Sequence, residues 1–495
     1  MAKEKKQIGA KDKFGYMMGD FGCNMSFQLI SSFLMLFVTQ ALGISMVHWM
    51  VIVVVAKVFD AINDPIIGAL VDKKKPGKHG KFKPWIFVGS FFIAITTVLL
   101  FTNVSGLNYW FKFAYCLIMY MVWSVAYTVA NVPYGSLNAA LTDNAKERSS
   151  LSSLRSIGAG LAMLPIMVAV PLLVYNDDKT LKANMFMVVA LLCGIFGIIG
   201  FMMTIFMTKE KVTVIDDNNQ PKEKISYVKT LKSFFKNKAV LALCLASFAQ
   251  LVFILTFTTT VQLVFQFYFQ NTKLLSVVNI VSMLPMVVFI PFMPKLTAKF
   301  GNKKICSLPN IVGFVSLILM LFIPFNKLGN AGPLVYILFL MVAMLGGGTF
   351  TLATWSMVAE CVDEQEVESG VREEASIYAT YSLARKVAQG VGAGLVALCL
   401  SFVGYKTDGF VTEQDMITHN SQPGVAQGIL ILSIILPLIG YIVVFIAMQF
   451  LYKLDKEKVA SNTFILRDKH SGDNIDVKTS TRCFYEETAT EVKEI

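Results

Sequence analysis

Apolar runs of 20 or more residues recur along the whole chain, each long enough to cross about 30 Å of hydrocarbon. In lipid only helices and closed barrels satisfy their own backbone, and runs of this length read as helices. Twelve spans are expected, at about 17–42, 46–71, 84–103, 110–141, 151–175 and 184–208, then 239–269, 274–294, 305–325, 332–362, 374–405 and 424–452. Composition leads to the same class. Charged residues make up 16% of the 495 positions and hydrophobic ones 55%, whereas a soluble domain is about one quarter charged. The expected fold is an all-α membrane protein of twelve transmembrane helices.

The net charge of +11 raises the question of nucleic acid, and its distribution answers it. Lysines crowd the N-terminus (Lys3 to Lys13) and the connections after the even spans: Lys73 to Lys83, Lys146 with Arg148, Lys209 to Lys238, and Lys295 to Lys304. The connections after the odd spans hold none, or only Lys179, Lys182, Lys273, Lys327 and Lys406. This alternation marks a membrane topology with both termini in the cytoplasm, not a nucleic-acid surface. A missed span would invert the pattern downstream, and it does not invert. The first apolar run is too long for a signal-peptide core. The eight cysteines show no CxxC or zinc spacing and read as small apolar residues.

A long charged connection at 209–238 divides the chain into a six-helix bundle over 1–208, a second over 239–452, and a polar tail over 453–495, expected to be a solvated cytoplasmic extension. Gly68 to Asp72 and its lysine-rich turn echo loosely in Pro294 to Lys304, each after the second helix of a half. Two halves around a midplane site are the usual transporter solution.

Span 2 reads Ala56-Lys57-Val58-Phe59-Asp60-Ala61-Ile62-Asn63-Asp64-Pro65. Asp60 and Asp64, four apart, share one helical face with Lys57. Each ionised group at membrane depth costs at least ~2.5–3.5 kcal/mol and needs a partner or a watery cavity. A hard monovalent cation needs oxygen ligands, which two carboxylates and the Asn63 amide supply. The like charges also raise one another's proton affinity, so the same pair suits Na⁺ or H⁺. The plainer reading is a packing salt bridge between Lys57 and Asp60, which leaves Asp64 unexplained.

In span 4, Trp123, Tyr127 and Asn131 form a stripe of aromatics with a polar end, fit for sugar rings and hydroxyls and equally for helix packing. Thr128, one turn from Asn131, is placed to lend a hydroxyl to a cation site. Span 1 opens on Gly19-Asp20-Phe21-Gly22-Cys23-Asn24. Arg155 in span 5 and Arg385-Lys386 in span 11, near Tyr378, Tyr381 and Ser382, are intramembrane cations that must face carboxylates, substrate or water. Glu360 and Asp363 close span 10, and the acidic stretch after them, Glu364, Glu366, Glu368, Glu373 and Glu374, reads as an external solvated loop, with gating ion pairs as the alternative. Gly346-Gly347-Gly348 lies in an apolar helix and lacks the strand and lysine of a phosphate loop. No catalytic constellation and no cofactor motif emerges.

Asp60-Ala-Ile-Asn-Asp64-Pro, Gly-Lys-Phe-Lys-Pro-Trp at 80–85, Pro133-Tyr-Gly-Ser-Leu, Glu147-Arg148 with Ser152-Ser153-Leu154-Arg155, and Glu360-Cys-Val-Asp363 resemble the glycoside–pentoside–hexuronide:cation symporters over about residues 12–452. The resemblance implies the major facilitator fold, two pseudo-symmetric six-helix bundles in a bacterial cell membrane, and sugar transport coupled to Na⁺ or H⁺. It also implies a cation site at Asp60, Asn63, Asp64 and Thr128, and sugar contacts from Asn24, Asn131, Arg155 and Lys386. Trp123, Tyr127 and Tyr381 complete the expected sugar-facing set.

The sequence departs from the melibiose carrier of that family where Asn24 and Asn131 replace carboxylates and Gly135 replaces a tryptophan. Amides are weaker acceptors for sugar hydroxyls than carboxylates, which argues against an α-galactoside. Two lost negative charges beside Arg155 and Lys386 leave a neutral glycoside or an anionic hexuronide. The rival readings are an uncoupled facilitator, a carrier of another solute on the same fold, and a membrane-embedded glycosyltransferase, for which no donor-binding domain is present.

Overall fold

The computed structural model describes residues 8–74, 77, 80–142, 145–210, 237–369, 374–410 and 412–471. Most of the 209–238 connection and the tail beyond 471 lie outside the described residues. Each expected span falls on a helix. In the first half these are α1 (Ala10–Leu36), α2 (Met46–Lys73), α3 (Lys83–Leu100), α4 (Tyr109–Leu141), α5 (Ala145–Val174) and α6 (Ala183–Met207). In the second they are α7 (Lys238–Leu263), α8 (Leu274–Phe289), α10 (Asn302–Leu321), α11 (Gly332–Ser369), α12 (Glu374–Phe402) and α14 (Pro423–Ile446). Three short helices were not expected: α9 (Met293–Phe300), α13 (Glu413–Asn420) and α15 (Lys456–Ser471). Among the described residues nine helices are long and apolar enough to cross a membrane.

The outward faces confirm the solvent. Val58, Ile62 and Ile66 on α2 and Leu191, Ile195 and Ile199 on α6 are large, apolar and exposed at one-turn spacing. Such stripes would aggregate in water and are what lipid requires. By contacts the chain forms two units. The first gathers residues 1–220, 258–280 and 393–432, and the second 221–257, 281–392 and 433–495.

In the first unit α1 packs on α5 and α6, α3 on α4 and α6, and α2 on α4. Glycine permits the closest of these approaches. A Cβ on Gly158 of α5 would lie 2.3 Å from the Met17 carbonyl oxygen of α1, and one on Gly200 of α6 would lie 2.6 Å from that of Met18. Backbone cannot yield there as a side chain can, so α1 is held between α5 and α6 by the lack of side chains.

The Gly-Lys-Phe-Lys-Pro-Trp segment has a structural purpose at the start of α3. The Glu210 carboxylate, just beyond α6, accepts from the backbone N–H of Lys81 (2.7 Å), Phe82 (3.1 Å) and Lys83 (3.3 Å). These are donors that the first turn of a helix leaves unpaired. In return Lys83 Nζ donates to the terminal carbonyls Ile205 (2.8 Å) and Thr208 (2.5 Å) at the end of α6. Gly80, at φ +91°, bends the chain against Glu210 where a Cβ would fall 2.4 Å from the carboxylate. Each helix thus caps the other.

In the second unit two expectations are corrected. At Glu364, Glu366 and Glu368 the acidic stretch is not an external solvated loop, because α11 continues helically to Ser369 with Glu364 and Glu366 buried, while Glu373 lies outside the described residues. The tail begins not as a solvated extension but as α15, which packs on α11. Asn462 Nδ2 donates to Glu364 Oε2 (2.5 Å), Lys458 stands 3.6 Å from the same carboxylate, and the Tyr452 hydroxyl donates to Glu360 (2.6 Å). Asn302 Nδ2 also donates to Glu360 (2.7 Å). Hydrogen-bonding partners, those of Glu364 drawn from the tail, make the burial of Glu360 and Glu364 tolerable.

The α1–α5 crossing leads to a direct test. Gly158→Ala should destabilise the protein by about 1–3 kcal/mol, since overpacking against backbone has no cheap relief. Gly160→Ala, on the same helix with open space around it, should leave the melting temperature in detergent almost unchanged. Equal behaviour of the two variants would contradict the packing account.

Candidate functional site

α2 and α4 lie side by side, and their polar residues meet as two rungs. The Ser124 hydroxyl donates to Asp60 Oδ1, and one turn on the Thr128 hydroxyl donates to Asp64 Oδ1 at 2.7 Å. Both pairs span 64 residues in sequence, so the i, i+4 spacing of one helix is matched on the other. Lys57 Nζ stands 3.4 Å from Asp60 Oδ2. The salt bridge is therefore present, but it occupies one oxygen of one carboxylate. Asp64 has its own hydroxyl donor.

Asn63 is 8% exposed, and its Nδ2 is buried without a hydrogen-bond partner. The two amide ends of asparagine are nearly isosteric, so rotation puts an oxygen in that place. The two carboxylates and two hydroxyls that meet here are oxygen donors of the kind a hard monovalent cation takes. Among the described residues no group of three or more His, Cys, Asp or Glu comes together to hold a metal ion. Ser124 was not singled out in the sequence, although it lies four residues before Thr128 as Asp60 lies four before Asp64.

The second cluster is built on α1, α4 and α5. Arg155 Nε donates to Asp20 Oδ1 at 3.2 Å, and Asn24 Nδ2 donates to Asp20 Oδ2 at 3.1 Å. The Arg155 guanidinium lies 5.2 Å over the Tyr134 ring, which stacks on Tyr16 at 4.9 Å. Such stacking favours the planar cation over an ammonium. Gly135 leaves room beside it, since a Cβ there would still be 3.9 Å from Nη1. Asp20, 7% exposed, is the carboxylate the sequence reading did not assign. Its position four residues before Asn24 was the available signal. Asn131 Oδ1 accepts from the Cys23 thiol at 3.6 Å and so joins the α1 side of the cluster.

The aromatic stripe is present with divided roles. Trp123 is 3% exposed, its Nε1 donates to Ser26 Oγ at 2.8 Å, and its ring lies between Tyr120 (5.9 Å) and Tyr127 (5.3 Å). Tyr127 is the half-buried end of the stack, next to Phe27 at 5.5 Å. Trp123 supports, and Tyr127 presents a ring.

Tyr381 and Lys386 belong to the second unit. There Tyr381 is buried and accepts from Arg385 Nη1 at 3.0 Å, while the Arg385 guanidinium lies over Trp355 (5.8 Å) and Tyr381 (5.6 Å). Arg385 and Trp355 are thus the partners of Tyr381, with half-buried Lys386 next along α12. The side chains of Tyr378, Ser382, Glu147, Arg148, Ser152 and Ser153 lie outside the described residues.

The chain matches the family model described as MFS/sugar transport protein over residues 15–456. It is 30% identical over 470 residues to "Uncharacterized symporter YjmB" of Bacillus subtilis (strain 168), covering 94% of this chain and 96% of that protein. It is 27% identical over 483 residues to "Isoprimeverose transporter" of Lactiplantibacillus pentosus, covering 95% and 94%. In structure it resembles the nucleoside transporter NupG with a TM-score of 0.58 at 15% identity, covering 90% and 99%. At that identity the likeness speaks for the fold alone. Matched over nearly its whole length, and carrying the second-helix carboxylates on a helical bundle, the chain belongs to the MFS/sugar transport protein family and is a multi-pass sugar-type transporter.

Proposed function

We propose that the protein is a secondary active transporter that takes up a glycoside or pentoside together with Na⁺ or H⁺ by alternating access, with both termini in the cytoplasm. The carrying observation is the two-rung contact of Ser124 and Thr128 with Asp60 and Asp64. Carboxylates at membrane depth are costly, and here they are steadied by hydroxyls that also serve as cation ligands. A cation bound at Asp64 and Thr128 fixes α4, and α4 carries Tyr127 and Asn131 of the sugar cluster. Cation binding and sugar binding then share one rigid element, the physical requirement for coupling. One cation crossing ~100 mV gains ~2.3 kcal/mol, and a tenfold gradient adds ~1.4 kcal/mol. Together these support accumulation of several hundred-fold.

The sugar cluster narrows the cargo. From sequence, the loss of acids at Asn24 and Asn131 left Arg155 available to an anionic sugar. With Asp20 on Arg155 the pair is formally neutral and offers charged acceptor and donor side by side. That suits the hydroxyls of an uncharged glycoside or pentoside. A hexuronide would have to displace Asp20, and its preferential uptake is the outcome that favours the anionic reading.

Two variants separate coupling from recognition in proteoliposomes. Asp60→Cys should abolish accumulation against a gradient and leave downhill exchange. Full concentrative uptake by this variant would refute the coupling role. Asp20→Asn should weaken sugar binding by about tenfold or more, the loss of a charge-assisted hydrogen bond, while the cation dependence of residual uptake stays as in the parent. Unchanged sugar affinity would remove Asp20 from the recognition site.

A further inference from the structure

The end of the first unit remote from the lysine-rich turn carries a pattern that the transport reading does not use. α1 and α7, the opening helices of the two halves, both run into a single π-helical turn, Phe37–Ala41 and Val264–Tyr268. The closing hydrogen bonds repeat as well. Leu42 N–H donates to Phe37 C=O and Ile44 N–H to Val38 C=O, while Phe269 N–H donates to Val264 C=O and Asn271 N–H to Phe265 C=O. Turns of this kind are rare and concentrate at functional places.

Each turn carries one glutamine, and the two meet. Gln40 Nε2 donates to Gln266 Oε1 at 3.1 Å, and Gln266 Nε2 donates back to Gln40 Oε1 at 2.8 Å. The remaining proton of each amide is also used, by the Tyr405 hydroxyl at 2.9 Å for Gln40 and by the Lys179 carbonyl at 3.3 Å for Gln266. Gln40, Gln266 and Tyr405 are all buried. Around them, Gln262 Nε2 donates to Ser32 C=O (3.1 Å), Thr407 Oγ1 to Ile44 C=O (3.2 Å) and Ser276 Oγ to Val168 C=O (2.7 Å). Segments of the second half are thus tied to the first by neutral hydrogen bonds. A buried ion pair would be costly to form and strongly destabilised when half broken. Paired amides fix one register while together, and water replaces each bond when they part into solvent. Such a joint is specific when closed and cheap to open.

We propose that the reciprocal Gln40–Gln266 pair, completed by Tyr405 and the Lys179 carbonyl, is a latch that closes the external face of the transport path and parts once per cycle. The proposal rests on the alternating-access reading above. Losing one partner strands the other amide in a buried place, whereas replacing both removes the stranded amide and leaves only the Tyr405 hydroxyl and the Lys179 carbonyl without their amide donors.

The test places a reporter, Asn24→Cys, and times its labelling by a membrane-impermeant maleimide from the external face, with the rate of the chain lacking the reporter subtracted. Gln266→Leu should label at least about fivefold faster than the latched parent, and Gln40→Leu/Gln266→Leu should fall back toward it. Equal rates in all three would overturn the latch. A second arm cross-links Gln40→Cys/Gln266→Cys, which should cut uptake below about a tenth until a reductant restores it. Undiminished uptake by the cross-linked protein would also overturn the latch. If the unsubstituted chain takes up no sugar, the transport reading fails by itself, and the labelling rates still decide the latch.

Discussion

A carboxylate inside a lipid-spanning bundle must have a partner, and most of the first unit can be understood as meeting that demand. Asp60, Asp64 and Asp20 are met by Ser124, Thr128 and Arg155. None of these partners is near in sequence, so each pairing fixes a helix–helix register. The Asp60 and Asp64 rungs set α2 against α4, and Asp20 with Arg155 sets α1 against α5. Glycines make the second register attainable. Gly158, one turn beyond Arg155, lets α5 reach the Met17–Phe21 turn that holds Asp20. Packing and chemistry are here one constraint, because the close approach that costs side chains is what brings opposite charges together.

In the proposed transport cycle the arrangement lets one bundle serve two ligands. α4 carries Ser124 and Thr128 on the face toward α2, and Tyr127 and Asn131 toward α1 and its neighbours. A ligand that steadies one face of a rigid helix pre-orders the other, so part of the ordering cost of the second ligand is already met. At the far end of α1, its π-turn pairs with that of α7. The first helices of the two halves thus share one local backbone feature.

The spans were legible because lipid imposes length and apolarity on every crossing segment, and α1 to α8, α10 to α12 and α14 fall where those runs lie. The Asp60/Asp64 pair was legible because charge within such a run is anomalous. Asp20 was visible but unassigned, since a pairing across 135 residues depends on a glycine crossing that spacing does not reveal. Ser124 was hidden because a serine in a helix is chemically unremarkable until it faces a carboxylate. The buried acids Glu364 and Glu366 were misread for the opposite reason. The partners of Glu364 lie in α15, and a polar tail gives no sign of where it folds back. Trp123 had the spacing of a sugar platform, yet its indole N–H is taken by Ser26.

The central claim is that the α2–α4 rungs and the α1–α4–α5 cluster are energetically linked. Calorimetric titration of the purified protein tests it without any membrane gradient. Sugar affinity is measured with and without the coupling cation, and cation affinity with and without sugar. Linkage predicts that each ligand tightens the other by the same factor, about 5–150-fold, and that Asp64→Asn removes the effect while sugar still binds. A sugar affinity indifferent to Na⁺ and to pH would contradict the account.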